Sequence, residues 1–183
     1  MRNQEVMFSS KEQTWETPIS FFNRLNEEFN FTLDVCALPN SAKCERYFTP
    51  ETDGLSQDWS NEIVYMNPPY NNIYNWMEKA YYEAKNNGAT VVCLIPARTD
   101  TKYWSRFCMC ANEIRLVKGR LKFGDSNNSA PFPSAVIIFR PEYNNLYFTT
   151  MSSYINRPMV NMLYNKPVEM IIEDGLIEGI RFE

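Results

Sequence analysis

Two stretches of this chain are near-continuous apolar runs, "TVVCLI" at 90–95 and "AVIIF" at 135–139. A strand with one wet face alternates apolar and polar residues, whereas a strand that is apolar throughout is buried on both faces. Each run is too short for a helix and rich in β-branched residues, which pack well on a pleated surface. Strands of this kind need a covering layer on either side, so the chain is expected to form an open α/β sheet flanked by helices.

Other segments supply the layers. "TPISFFNRLNEEFNF" predicts a helix with Thr17 as N-cap, Pro18 at the first helical position and an apolar stripe of Ile19, Phe22, Leu25 and Phe29. "NIYNWMEKAYYEAKNNG" predicts an amphipathic helix ending at Gly88. "FTLDV" and "EIVYM" read as further strands, and "CERYF" as a short one. "DTKYWSRFCMCA" reads as a helix, and "NEIRLVKGRLKF" as strand, turn and strand around Gly119. "VEMIIEDGLIEGIRFE" suggests a hairpin turning at Asp174-Gly175. Residues 1–13 are polar and are expected to be flexible. The periodic elements fill 14–141, and 142–183 form an extension expected to pack on the same domain.

Composition removes several chemistries. The 183 residues contain no histidine, which excludes Ser-His-Asp and Cys-His nucleophile pairs, histidine bases and most zinc sites. Five cysteines, an odd number mostly in apolar runs, and the lack of a signal peptide or membrane-length segment predict reduced thiols in a cytoplasm, with no metal and no membrane partner. A net charge of −4 argues against holding nucleic acid by bulk electrostatics, though not against a local basic face.

The chemistry is expected at "YMNPPYNN", residues 65–72. Neither proline can donate to a ladder, and each restricts the residue before it, so the strand must stop at a stiff corner. In open α/β sheets ligands bind at the carboxyl ends of strands. Asp34, Asn67 and Arg98 stand at three such ends, with Asp53-Gly54 in the connection between the first two strands. Carboxylates without a G-x-G-x-x-G turn argue against a pyrophosphate and suit a ligand with an ammonium, ribose hydroxyls and an adenine amine, the set S-adenosylmethionine carries. The Asn67 amide oxygen and the Pro68 carbonyl can accept the two hydrogens of an exocyclic amino group. Doing so frees a nitrogen lone pair otherwise delocalised into the ring, and no strong base is required. Tyr70 can stack on the base, which must leave the duplex to reach such a pocket. From the residues alone, a rigid strand-to-helix turn without chemistry stays open, as does a helix-cap or turn role for Asp34, Asp53 and Thr17.

"NPPY" after an apolar strand resembles the signature of amino-methyltransferases acting on adenine, cytosine N4 or protein glutamine. With "WETP" at 15–18, "FTLDVCA" at 31–37, "CERYFTPETDGLSQDW" at 44–59, "IPARTDTKYW" at 95–104 and "GRLKFG…APFPSAVIIFRP" at 119–141, the chain is similar to the small phage-type, Dam-like DNA N6-adenine methyltransferases over roughly 14–141. The resemblance implies a Rossmann-like class I methyltransferase fold with a compact mixed sheet, S-adenosylmethionine as cofactor, DNA as substrate and the cytoplasm of a bacterial host. It implies catalytic roles for Asn67, Pro68, Pro69 and Tyr70, and cofactor contacts from Trp15, Thr17, Pro18, Asp34, Cys36, Ala37 and Asp53. One departure matters: where the first motif carries glycines, this chain reads "DVCALPN". Arg98, Lys102, Tyr103, Arg120 and Lys122 are candidates for tracking phosphates or stacking a neighbouring base, with a solvated, ion-paired face as the alternative. RNA adenine, a protein glutamine or a non-catalytic binding role remain open here, as do monomer and homodimer.

Overall fold

The two near-continuous apolar runs lie side by side at the centre of a six-stranded sheet in the computed structural model. It describes residues 15–124, 128–142 and 146–153, and the backbone of Glu169–Glu173 and Leu176–Arg181. The elements are α1 (Ile19–Phe29), β1 (Leu33–Asp34), β2 (Ile63–Met66), α2 (Ile73–Asn87), β3 (Thr90–Pro96), α3 (Lys102–Arg106), β4 (Glu113–Lys118), β5 (Ser134–Phe139) and β6 (Tyr147–Ser152). Strand order is β1-β2-β3-β5-β4-β6. β1, β2 and β3 are parallel, β5 is antiparallel to both neighbours, and β6 runs parallel to β4. The sheet is therefore mixed, as expected.

Period-two alternation divides the central strands between two cores. Val91, Cys93 and Ile95, with Ala135, Ile137 and Phe139, pack with Trp76, Met77, Ala80 and Ala84 of α2. Val92, Leu94, Val136 and Ile138 face the other way and join Phe21, Phe22, Leu25 and Phe29 of α1. Because both faces are covered, the runs are apolar from Val91 to Ile95 and from Ala135 to Phe139, and the polar Thr90 stands at the partly buried start of β3. α2 stops at Gly88, whose φ of 75° is left-handed and whose missing Cβ would lie 2.7 Å from Asn61 Oδ1.

Several local expectations need correction. α1 begins at Ile19, and Thr17 does not cap it; Pro18 occupies the cap position and accepts from the Phe21 and Phe22 N–H groups. Ile19 is 60% exposed and Phe21 is buried in its place. On the 3.6-residue wheel Phe21 shares an arc with Leu25 and Phe29, four and eight residues on, while Ile19 falls at its margin. "CERYF" contributes an isolated bridge between Tyr47 and Asp34, laid along the free edge of β1. The predicted helix after residue 100 is short: it spans Lys102–Arg106, is capped by Phe107, whose N–H still reaches the Tyr103 carbonyl, and gives way to a 3₁₀ turn at Cys108–Cys110. Beyond Gly119 (φ 88°) no second strand forms; Leu121 and Phe123 bury while Arg120 and Lys122 stay outside, a strand-like alternation in a segment bonded to a loop through Ala130 N–H and Leu121 O.

β6 is tied to its surroundings by side chains as well as by its ladder. Arg115 holds Glu28 of α1 through two 2.6 Å bonds and also bonds Glu113. Thr149 of β6 donates to Glu113, and Arg24 of α1 donates to the Ser152 carbonyl. Although burial opposes it, this network keeps the Glu113 carboxyl below its ordinary range. Glu169–Glu173 and Leu176–Arg181 pair antiparallel, as expected for a hairpin. The proposed turn at 174–175, the N-terminal 1–13 and most of 154–183 lie outside the described residues.

Candidate active site

At the corner, the last ladder residue of β2 is Met66. Pro68 and Pro69 follow without N–H groups, Tyr70–Asn72 make one 3₁₀ turn, and α2 starts at Ile73. The carboxyl ends of β1 and β2 thus share one edge, where a cavity of about 690 Å³ opens. Asn67, Pro68 and Pro69 line it from one side; Asp34, Cys36 and Ala37 form a second wall. Asp53 and Gly54 contribute a third, and Trp15 and Thr17 come from the segment before α1. Pro18 serves that helix and is not part of the lining.

The amide of Asn67 has a fixed orientation. Its Nδ2 donates to the Trp15 carbonyl and, at 3.0 Å, to Thr17 Oγ1. A backbone carbonyl can only accept, so the NH₂ group must face it and Oδ1 must point away. That oxygen is buried and has no hydrogen-bond partner among the described residues. Buried side-chain acceptors are usually satisfied, which makes this one a place where a ligand donor belongs. The Trp15 ring that sets the carbonyl is itself held edge-on by Phe123 and Phe132, at 5.5 and 5.3 Å.

Asp34 is 3% exposed and accepts from the backbone N–H groups of Cys36 (3.2 Å) and Lys43 (3.0 Å). Burial raises its carboxyl above the usual range, against those two bonds and the Lys43 charge. A cation arriving beside it would favour the ionised form. The turn that follows has no left-handed residue: Val35 donates to the Tyr65 carbonyl, Ala37 to that of Phe48, and positive φ values occur elsewhere. This explains how "DVCALPN" works without glycine. Its backbone never enters the region where glycine is needed. Cys36 is a neutral thiol, pushed well up by burial, with its sulfur in contact with the Asn67 backbone.

Asp53 does take a left-handed conformation (φ 47°), with its carboxylate accepting from the Leu55 N–H. Gly54 is required for a different reason: a Cβ there would lie 2.2 Å from the Val35 carbonyl oxygen and 3.1 Å from the Trp76 ring. We expect Gly54→Ala to destabilise the protein by about 1–3 kcal/mol in urea unfolding, as overpacking against backbone does, and to displace Asp53. An unfolding midpoint equal to wild type would refute that close approach.

Tyr70 borders the corner without lining the cavity. Its ring packs edge-on against Phe132 at 5.4 Å; its buried hydroxyl has no partner among the described residues, and burial raises its pKa, which keeps it neutral. Arg98 is exposed and within electrostatic reach of Tyr70. Arg98, Lys102, Arg120 and Lys122 are all exposed and outside the cavity, and none forms an ion pair with a described residue. Tyr103 corrects an expectation: it is 5% exposed, packs in the core and donates to the Pro96 carbonyl at 3.0 Å, leaving no ring face for a base. Sequence reasoning missed Tyr65, whose hydroxyl reaches Thr17, and the Lys43–Glu16 ion pair (2.9 Å) beside the cavity. A phenol in an otherwise aliphatic strand was the signal for the first; nothing local marked the second.

Among the described residues no group of three or more His, Cys, Asp and Glu side chains is placed to hold a metal ion. Nor is any helix there long and apolar enough to cross a membrane.

A model of the family described as DNA N-6-adenine-methyltransferase (Dam) matches residues 5–164. A DNA N-6-adenine-methyltransferase of Haemophilus phage HP1 is 29% identical over 155 residues, 80% of this chain and 88% of that protein. A protein of the same description from Escherichia phage T1 is 28% identical over 109 residues, 58% of this chain and 45% of the relative. An α/β sheet with a proline-stiffened corner over a carboxylate-lined cavity accords with a match over so much of the sequence, and the chain belongs to the DNA N-6-adenine-methyltransferase (Dam) family.

Proposed function

We propose that this protein transfers a methyl group from S-adenosylmethionine to N6 of an adenine in DNA, the base being turned out of the duplex and held at Asn67. The observation that carries the reading is the buried, unpartnered Oδ1 of an amide whose other end is anchored twice. Family membership and the DNA-directed names of the phage relatives support the choice of substrate.

The residues present fit the cofactor. Asp34 and Asp53 offer acceptors for an ammonium and for ribose hydroxyls, and the Cys36-Ala37 turn and the Trp15–Thr17 segment complete the enclosure. When bound, S-adenosylmethionine supplies an electrophilic methyl group to the amino nitrogen. The protein's own part is positional and electrostatic. Asn67 Oδ1 accepts one amino hydrogen and the Pro68 carbonyl the other, drawing the nitrogen toward tetrahedral geometry and stabilising the positive charge that develops there until one of these hydrogens leaves as a proton to solvent. Because these acceptors are fixed beforehand, they need little reorganisation during reaction. Tyr70, neutral and braced by Phe132, packs on the base. Arg98, Lys102, Arg120 and Lys122 contact phosphates, so affinity for DNA should fall with added salt.

The test offers DNA, RNA and protein in parallel to the enzyme with radiolabelled methyl donor. Label should enter DNA as N6-methyladenine; label confined to RNA or protein would overturn the reading. For Asp34→Asn, affinity for S-adenosylhomocysteine should weaken about 10- to 100-fold by calorimetry, the effect of losing a charged hydrogen-bond acceptor. Unchanged affinity would remove Asp34 from the cofactor site.

A further inference from the structure

Asn67 reads its orientation from two neighbours of different character. The Trp15 carbonyl can only accept. Thr17 Oγ1 is ambiguous: a hydroxyl both donates and accepts, so it could face either end of the amide. Its ambiguity ends only if its single hydrogen is committed elsewhere. The structure offers a taker for that hydrogen at Tyr65, whose phenol oxygen lies 2.5 Å from Thr17 Oγ1, a pair in which either hydroxyl can be the donor. Thr17 is 3% exposed and Tyr65 1% exposed, so bulk water does not compete for these groups. Among the described residues, Thr17 Oγ1 bonds Tyr65 and Asn67, and the Tyr65 hydroxyl bonds Thr17. Both residues line the cavity.

We propose that Thr17 and Tyr65 are a positioning pair for the Asn67 amide: Thr17 donates to Tyr65, presents only lone pairs to Asn67, and thereby holds Oδ1 toward the substrate. The hydrogen of Tyr65 is then directed to the cavity that it lines. Neither residue touches the reacting atoms, and Tyr65 acts only through Thr17. With a flipped amide, Nδ2 would face the substrate amine and two donors would meet. This inference rests on the proposed role of Asn67.

Two measurements test it. The first needs neither cofactor nor DNA: the side-chain NH₂ signal of Asn67, assigned by its loss in Asn67→Ala, is followed by nitrogen-proton NMR. In Thr17→Val its hydrogens should exchange with solvent about tenfold faster, as expected when one of two buried bonds is lost. The second is methylation kinetics. Thr17→Val should lower kcat about tenfold with KM for DNA within about threefold, and Thr17→Ser should restore kcat to within about threefold of wild type. Tyr65→Phe should lower kcat by about threefold or more, yet add nothing further in the Thr17→Val background, because residues acting in series are not additive. Thermal unfolding confirms that each variant is folded, and the conservative Thr17→Ser and Tyr65→Phe carry the test should Thr17→Val fail to fold. An unchanged Asn67 signal in Thr17→Val, additive losses in the double variant or no rescue by serine would each overturn the pairing. A wild-type protein that labels no DNA would instead overturn the proposed function, while the NMR result still decides the pairing.

Discussion

Asn67→Ala should lower the rate of methyl transfer to DNA by about a hundred- to a thousandfold, the loss that follows removal of one preorganised group from a charge-stabilising site. Affinity for S-adenosylhomocysteine should stay within a few-fold, since Asp34 and Asp53 remain. The amide of Asn67 is anchored through its nitrogen to Trp15 and Thr17 while its oxygen has no partner among the described residues. Alanine therefore deletes the acceptor and the tether together. Asn67→Asp separates the two roles. It keeps an acceptor but sets a second oxygen against the Trp15 carbonyl, where only a donor is satisfied, so it too should be strongly impaired. Single-turnover methylation with saturating DNA is the measurement, and an Asn67→Ala protein retaining more than about a tenth of the wild-type rate would deny the amide its role.

Trp59→Ala should cost about 3–5 kcal/mol of stability, the range for truncating a large buried aromatic side chain. Trp59 is fully buried, stacks on Trp76 at 6.2 Å between centroids and lies beneath the Lys79 ammonium, 4.9 Å from the ring. Its indole N–H donates to the Gly54 carbonyl at 2.9 Å. The ring thus joins the connection that carries Asp53 to the core under α2. Trp59→Phe keeps most of the stacking and drops the N–H bond, and should cost less than the alanine variant. Urea unfolding of both separates packing from hydrogen bonding. Equal losses in the two variants would show that the bond to Gly54, and not the ring, secures the connection.

The parts of this molecule legible in its sequence are those decided within a few residues. β3 and β5 announce themselves because burial on both faces leaves their interiors apolar from Val91 to Ile95 and from Ala135 to Phe139, and the corner because two prolines end a ladder wherever they stand. α2 was legible to its final residue because Gly88 can adopt a conformation that other residues resist. The failures are long-range. Thr17 has the local features of a helix cap, but its hydroxyl bonds a tyrosine 48 residues away. Tyr103 sits among basic residues in the sequence and among apolar ones in space. Arg115 belongs to the same basic stretch, yet Glu28 and Glu113 engage it. The missing glycines of "DVCALPN" could be judged only from backbone angles, since a motif records what most chains need and not what this path demands. At the site, the asparagine and the carboxylates were readable; the hydroxyl pair behind the asparagine was not, because it is assembled from a strand and a distant strap.

The buckle between α1 and β6 bears on how little of this chain can work. The strap that grips the asparagine leads directly into α1, and α1 is fastened by Arg24 to the edge strand β6 and by Glu28 to Arg115 of the neighbouring β4. A polypeptide cut at residue 141 would keep every group that faces the cavity but lose the Ser152 and Thr149 ends of the fastening. The tautness of the grip on one side of the molecule is thus tied in part to a strand on the other, and a fragment that keeps this fastening has to include Ser152.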